Sequence, residues 1–122
     1  LKIQVYYEDT DCGGVVYHSN YLNFCERARS NLFFSKGLSP HNDTEFFVVK
    51  KIEADYIQPA KFADELEVTT SLVKMKNTSL IMEQNIYRGE EHLFKMLVTV
   101  VFLKDMKPTR IPQELLSVFD EN

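Results

Sequence analysis

The chain has 122 residues, of which 44% are apolar and 26% charged, with a net charge of −4. That length fits one domain over residues 1–122 with room for a single core, and the composition is that of a globular rather than a disordered chain. The basic residues are scattered, which excludes a nucleic-acid footprint, and no apolar run approaches the roughly 20 residues of a membrane span.

In chain order, a short apolar run at the N-terminus stops at three carboxylates, Glu8, Asp9 and Asp11. Gly13-Gly14, Val15-Val16-Tyr17 and His18 follow, and then a helical pattern begins. Tyr21, Phe24, Cys25, Ala28 and Leu32 fall at i, i+3, i+4 spacing, which predicts an amphipathic helix from about Asn20 to Lys36. Leu22 and Phe33 widen its apolar surface. Ser19 or Asn20 is placed to cap its start, and Lys36-Gly37 supplies a stop. After a polar loop at 39–44, strands are expected over Phe46–Ile57, Glu65–Lys76, Ser79–Tyr87 and His92–Leu103. Asn77-Thr78 and Arg88-Gly89-Glu90-Glu91 read as hairpin turns, and Pro112 opens a short terminal helix, Gln113 to Phe119. Short connections demand antiparallel pairing, and the one long helix must cover the apolar sheet face. The fold class is therefore α+β, a curved antiparallel sheet of about five strands around one central helix. So much sheet with one helix leaves surface uncovered, so a homo-oligomer is expected.

The five N-terminal residues, Leu-Lys-Ile-Gln-Val, are too few and too mixed for the apolar core of a signal peptide. Cys12 and Cys25 are the only cysteines, and Cys25 lies on the apolar side of the helix. Both read as reduced thiols, which makes the cytoplasm the expected compartment.

The acidic segment carries the chemistry. Its plain reading is a solvated turn before a helix. Against that stand the tyrosines before it, the glycine pair that permits close backbone approach, and the return to apolar residues after it. A carboxylate between apolar flanks is partly desolvated, which raises its basicity and nucleophilicity. His41 and His92 are too dispersed to complete a metal site with His18, so no metal is expected. Cys12 with His18 would make a thiol nucleophile only if something oriented the pair, and nothing in the sequence does. Asp9-Thr-Asp11 also matches the Asp-x-Asp of haloacid-dehalogenase-type phosphatases, but those need strands and helices alternating around a parallel sheet. His18 itself suits a local hydrogen bond. Its backbone N–H, near a helix start, is placed to be a free donor for a polarised carbonyl.

The run Tyr6-Tyr-Glu-Asp-Thr-Asp-Cys-Gly-Gly-Val-Val-Tyr-His-Ser-Asn-Tyr-Leu22, with Glu26-Arg-Ala-Arg29, resembles the hotdog-fold acyl-CoA thioesterases. The resemblance is strongest to the branch of 4-hydroxybenzoyl-CoA thioesterase and the Tol-Pal-associated YbgC proteins. It continues in Tyr56-x-x-Pro-Ala60 and Asp64-x-Leu-x-Val68 and covers nearly the whole chain. It implies a hotdog fold and an enzyme that hydrolyses acyl-CoA without metal or cofactor. It further implies that the catalytic carboxylate falls on Asp11 and the carbonyl-polarising N–H on His18, at a site on a dimer interface. Dimers in that family often pair into tetramers. Gly14, Val15 and Tyr17 then line the substrate, and Lys61, Lys74, Lys76 and Arg88, at strand ends or turns, are candidates for the CoA phosphates. Phe24, Leu32, Phe46 and Phe47 are candidates for the acyl pocket, with core packing an equal explanation. The carrier could be acyl carrier protein instead of CoA. The rival reading is a non-catalytic module that binds acyl-CoA or carrier protein.

Overall fold

The structure, a computed structural model, describes residues 1–119. Strand β1 (Lys2–Gln4) leads through a 3-10 turn at Tyr7–Asp9 to helix α1 (Asn20–Phe34). Strands β2 (Glu45–Tyr56), β3 (Glu65–Met75), β4 (Ser79–Arg88) and β5 (Glu91–Lys104) follow. A two-residue β6 (Lys107–Pro108) and helix α2 (Gln113–Leu116), continued by a 3-10 turn at Ser117–Phe119, end the described chain. All the strand pairs are antiparallel, in the order β1-β3-β4-β5-β2, with β6 on β5.

The expected strands form within a residue or two of their predicted bounds, but their spatial order departs from chain order. β2 does not pair with β3; it lies at the far edge, against β5. The segment at 57–64 carries the chain across the end of the sheet, fixed by Ile57 and Gln58 N–H bonds to the Leu93 carbonyl (2.9 and 3.1 Å). That crossing leaves β2 with one open edge, and its residues from Val49 to Tyr56 are exposed.

The core is the interface predicted by the two periodicities. Tyr21, Phe24, Cys25 and Ala28 of α1 are buried against the alternating face Phe94, Met96, Val98, Val100 and Phe102 of β5, with Leu80, Met82 and Ile86 of β4 beside them. Each fully buried side chain of this size contributes about 1.5–3 kcal/mol. Leu32 is only half-buried, while Phe33 is buried. Gln84 also sits on this face, fully buried, because its amide is satisfied. It donates to the Cys25 carbonyl (2.9 Å) and to Thr70 Oγ1 (2.9 Å), and accepts from Arg29 Nη1 (2.9 Å).

The helix ends as expected. Gly37 takes φ +73°, and the Leu38 N–H reaches back to the Phe33 carbonyl (2.9 Å). Its start does not: neither the Ser19 nor the Asn20 side chain caps it. Asn20 Nδ2 instead donates to the Asp9 carbonyl (2.9 Å), tying the helix to the acidic segment.

Candidate active site

The segment from Tyr6 to His18 folds back on itself. Asp11 N–H bonds the Val15 carbonyl (2.9 Å), Thr10 bridges Val16, and Tyr17 N–H reaches the Asp9 carbonyl (3.0 Å). At the turn, Gly14 N–H returns to the Asp11 carbonyl (3.1 Å) with φ +81°, a conformation that glycine adopts without strain.

The two aspartates are used differently. Asp9 is buried, and its Oδ2 accepts the Tyr6 N–H (2.9 Å), so it holds the 3-10 turn together. Asp11 is exposed; its Oδ1 accepts the Gly13 N–H (2.8 Å), and its Oδ2 has no partner among the described residues. The expected desolvation of Asp11 is therefore not supplied by this chain alone.

His18 lies at the other end of this fold-back, two residues before α1. Its N–H donates to none of the described residues, while the neighbouring Tyr17 carbonyl accepts Asn20 N–H (2.9 Å). The donor is thus free at the positive end of the helix. The exposed His18 ring rests against the half-exposed Tyr17 ring at 4.3 Å.

The crossing segment forms the second wall. Val16 N–H bonds the Ala60 carbonyl (2.8 Å), Phe62 N–H bonds the Gly14 carbonyl (3.1 Å), and Val15 bridges Lys61. Lys61 is thereby placed beside the glycine turn. Arg88 is near but occupied: its guanidinium donates to Asp64 Oδ2 (2.6 Å), Glu91 Oε1 (3.0 Å) and the Pro59 carbonyl (3.3 Å). Glu91 and Asp64 hold Arg88 above its ordinary range, and the Arg88 guanidinium holds Glu91 below its own. Arg88 therefore clamps the crossing segment to the β4–β5 hairpin. Lys74 and Lys76 are not brought to this place within one chain; they lie at the opposite end of β3, about 30 Å along the strand from its start.

Reading the sequence residue by residue missed two tyrosines. Tyr21 Oη accepts the Ala60 N–H (2.9 Å), and the Tyr56 hydroxyl donates to the His18 carbonyl (2.9 Å). The Tyr56-x-x-Pro-Ala60 spacing was the available signal. Among the described residues no cluster of His, Cys, Asp or Glu could hold a metal ion. Burial pushes the Cys25 thiol up to about 12, which makes it inert, and no hydrogen bond joins the exposed Cys12 to His18. Beside α1, a cleft of about 280 Å3 is lined by Arg29, Phe33, Phe47, Val49 and Met82, among others. Of the four acyl-pocket candidates, Phe47 lines it; Phe24 is fully buried in the core.

A helix-wrapping antiparallel sheet with this fold-back at the helix start also matches known proteins. The family model described as the thioesterase superfamily matches residues 13–95. The chain belongs to the thioesterase superfamily. Its fold is the hotdog fold, a curled antiparallel half-barrel with a helix. This superfamily member is 38% identical over 125 residues to the acyl-CoA thioester hydrolase YbgC of Escherichia coli O6:H1, covering 98% of this chain and 93% of that protein. It is 41% identical over 125 residues to the acyl-CoA thioesterase YbgC of Haemophilus influenzae, covering 98% and 92%. It is 44% identical over 87 residues to the acyl-CoA thioesterase YbgC of Helicobacter pylori; that match spans 71% of this chain and 65% of the relative, just under two thirds of its length. Among solved structures, a probable thioesterase from Bartonella henselae superposes with a TM-score of 0.86 at 32% identity, covering 92% and 97%.

Proposed function

We propose that this superfamily member hydrolyses acyl-CoA thioesters, with Asp11 as general base or nucleophile and the His18 N–H polarising the thioester carbonyl. The observation that carries the reading is the pair of unengaged groups on one fold-back: a carboxylate oxygen of Asp11 and the N–H of His18, one an acceptor and the other a donor. The YbgC relatives, named for this activity, support it.

In the base route, Asp11 takes a proton from water as the water oxygen bonds to the thioester carbon. The C–O π electrons move onto the oxygen, where the His18 N–H stabilises them. Collapse breaks the C–S bond, and the thiolate leaves and collects the proton. In the nucleophile route, Asp11 bonds to the carbon first, and water then hydrolyses the mixed anhydride. Either route needs the oxyanion donor, worth about 2.7–4 kcal/mol. Neither route calls for a metal or cofactor.

Gly14, Val15 and Tyr17 form the wall along which the thioester lies, and the cleft beside α1 is the candidate acyl pocket. Lys61 is the first candidate for the CoA phosphates. Lys74 and Lys76 reach a site only from a second protomer, and Arg88 contributes by holding the crossing segment. The open edge of β2, with exposed Val49, Ile52 and Tyr56, favours a homodimer or a dimer of dimers. Light scattering that reports only a mass of about 14.3 kDa at active concentrations would contradict that assembly. The two unpaired cysteines suit a reducing cytoplasm.

Asp11→Asn keeps size and most hydrogen bonding but removes the anion. Its kcat on an acyl-CoA panel should fall about 10²–10⁴-fold with an unchanged melting curve. Near-normal turnover by folded D11N would refute the role of Asp11, whereas no turnover by the folded parent across the panel would favour a module that only binds acyl-CoA or acyl carrier protein.

A further inference from the structure

The first turn of α1 skips one carbonyl. Asn20 N–H bonds the Tyr17 carbonyl (2.9 Å) and Leu22 N–H bonds the Ser19 carbonyl (3.2 Å), both at 3-10 spacing. The His18 carbonyl between them receives no backbone N–H from the described residues. The hydroxyl of Tyr56, the last residue of β2, fills that place at 2.9 Å. Its ring is held edge-on by Tyr21 of α1 (5.3 Å) and Phe94 of β5 (4.9 Å), and those two rings stack on each other at 5.2 Å. The donor is therefore anchored to two core elements, α1 and β5, although Tyr56 is half exposed.

We propose that Tyr56 is a positioning residue for hydrolysis: its hydroxyl, by holding the His18 carbonyl, restrains the His18 backbone and so the N–H on the other side of its Cα. The inference rests on the reading of that N–H as the carbonyl-polarising donor. Helix starts fray, and here the side-chain caps that would oppose fraying are absent. An oxyanion donor works only within about 2.7–3.1 Å of the developing charge, so a small drift of the first turn lowers the rate. Tyr56 thus does for the first turn what a cap does elsewhere, but from the sheet edge. Burial raises Tyr56 above the ordinary phenol range, so it remains a protonated donor throughout neutral and mildly alkaline pH.

The test compares Tyr56→Phe with the parent and with D11N on one acyl-CoA substrate. The ring and its contacts survive in Y56F; only the hydroxyl is lost. Its kcat should fall about tenfold at nearly unchanged KM, with a melting curve close to the parent's. A second form, with 3,5-difluorotyrosine at position 56, keeps the hydroxyl and the fold. Its kcat should match the parent at low pH and fall as the more acidic phenol ionises and ceases to donate, a pH limb the parent lacks. Parental kcat in Y56F, a raised KM alone, or no added pH limb would each overturn the proposal. If Y56F is too unstable to assay, the pH limb of the difluorotyrosine form decides alone. D11N separates the two readings: inactive D11N beside normal Y56F removes only the role of Tyr56, D11N as active as the parent removes the Asp11 mechanism, and a folded parent without turnover removes the hydrolytic reading itself.

Discussion

At one end of the sheet the chain turns between neighbouring strands through Asn77-Thr78 and Asp105-Met106, tight hairpins whose backbone also bonds Phe102, Ile111 and Thr44. At the other end the 57–64 segment crosses from β2 to β3, and its carbonyls and N–H groups bond residues 5, 14, 16 and 93. Both ends tie distant backbone together, yet only at the crossed end does a long connection join the acidic fold-back to the helix start. There the fold-back of Asp11, the start of α1 and the Ala60–Lys61 wall meet. The contrast shows how an antiparallel sheet can build a site: a loop that must traverse the sheet end carries unpaired backbone groups, and satisfying them fixes its neighbours.

The contrast is broken most severely at Asp11. Against the loss predicted for D11N, Asp9→Asn should change turnover per folded molecule far less. Asp9 is buried and bonds the Tyr6 N–H, so D9N should instead lower the melting temperature. Parallel kinetics and melts of the two variants show whether the catalytic and structural acids are correctly assigned.

Gly14→Ala is the next largest disturbance. A side chain at φ +81° costs roughly 1–2 kcal/mol, although nothing lies within 4 Å of its Cβ. The melting temperature should fall, and turnover should fall with it as the Asp11 turn opens. Gly13→Ala, whose Cβ would make an ordinary 3.4 Å contact with Asp11 Oδ1, should cost less stability. Equal melts for the two would show that backbone strain does not shape the turn.

The clamp at Arg88 sharpens the comparison further. Arg88→Met removes the bonds to Asp64 and Glu91 and should lower the melting temperature modestly near neutral pH. Glu91 is held below its ordinary range, so its contribution is present above the unfolded carboxylate pKa of about 4.3 and is lost as pH falls through the lower folded value. The gap between the melting temperatures of the parent and R88M should therefore narrow on acidification below about pH 4. A gap independent of pH would assign the clamp to the Pro59 carbonyl alone.

The smallest effect is expected at Lys61. Lys61→Glu should raise KM for CoA thioesters by a few-fold while sparing short thioesters that lack the nucleotide. Lys74→Glu and Lys76→Glu, at the opposite end, should do less. Effects as large as that of K61E would place a neighbouring protomer's far sheet end at the site.

Much of this architecture follows from the sequence alone. Alternation in residues 94–102 and the 3.6-residue stripe of Tyr21, Phe24, Cys25 and Ala28 can each bury their apolar side in only one way, so the elements and the face they share were legible. So was the acidic segment, since its glycine pair and its place before a helix are properties of neighbours in the chain. Sequence could not set the strand order, because nothing local says that the 57–64 segment crosses the sheet rather than turning beside it. Nor could composition and spacing tell Asp9 from Asp11, which only the resemblance did: the two differ in burial, and burial is a property of the folded whole. The same holds for Arg88, a plausible phosphate ligand as a turn residue but a clamp once Asp64, 24 positions away, is folded against it. Tyr56 reaches the His18 carbonyl across 38 positions, and only the tertiary structure makes that contact. Side-chain periodicity encodes what each segment buries; which segments meet is decided by the closure of the sheet and the pairing of every polar group left at its end.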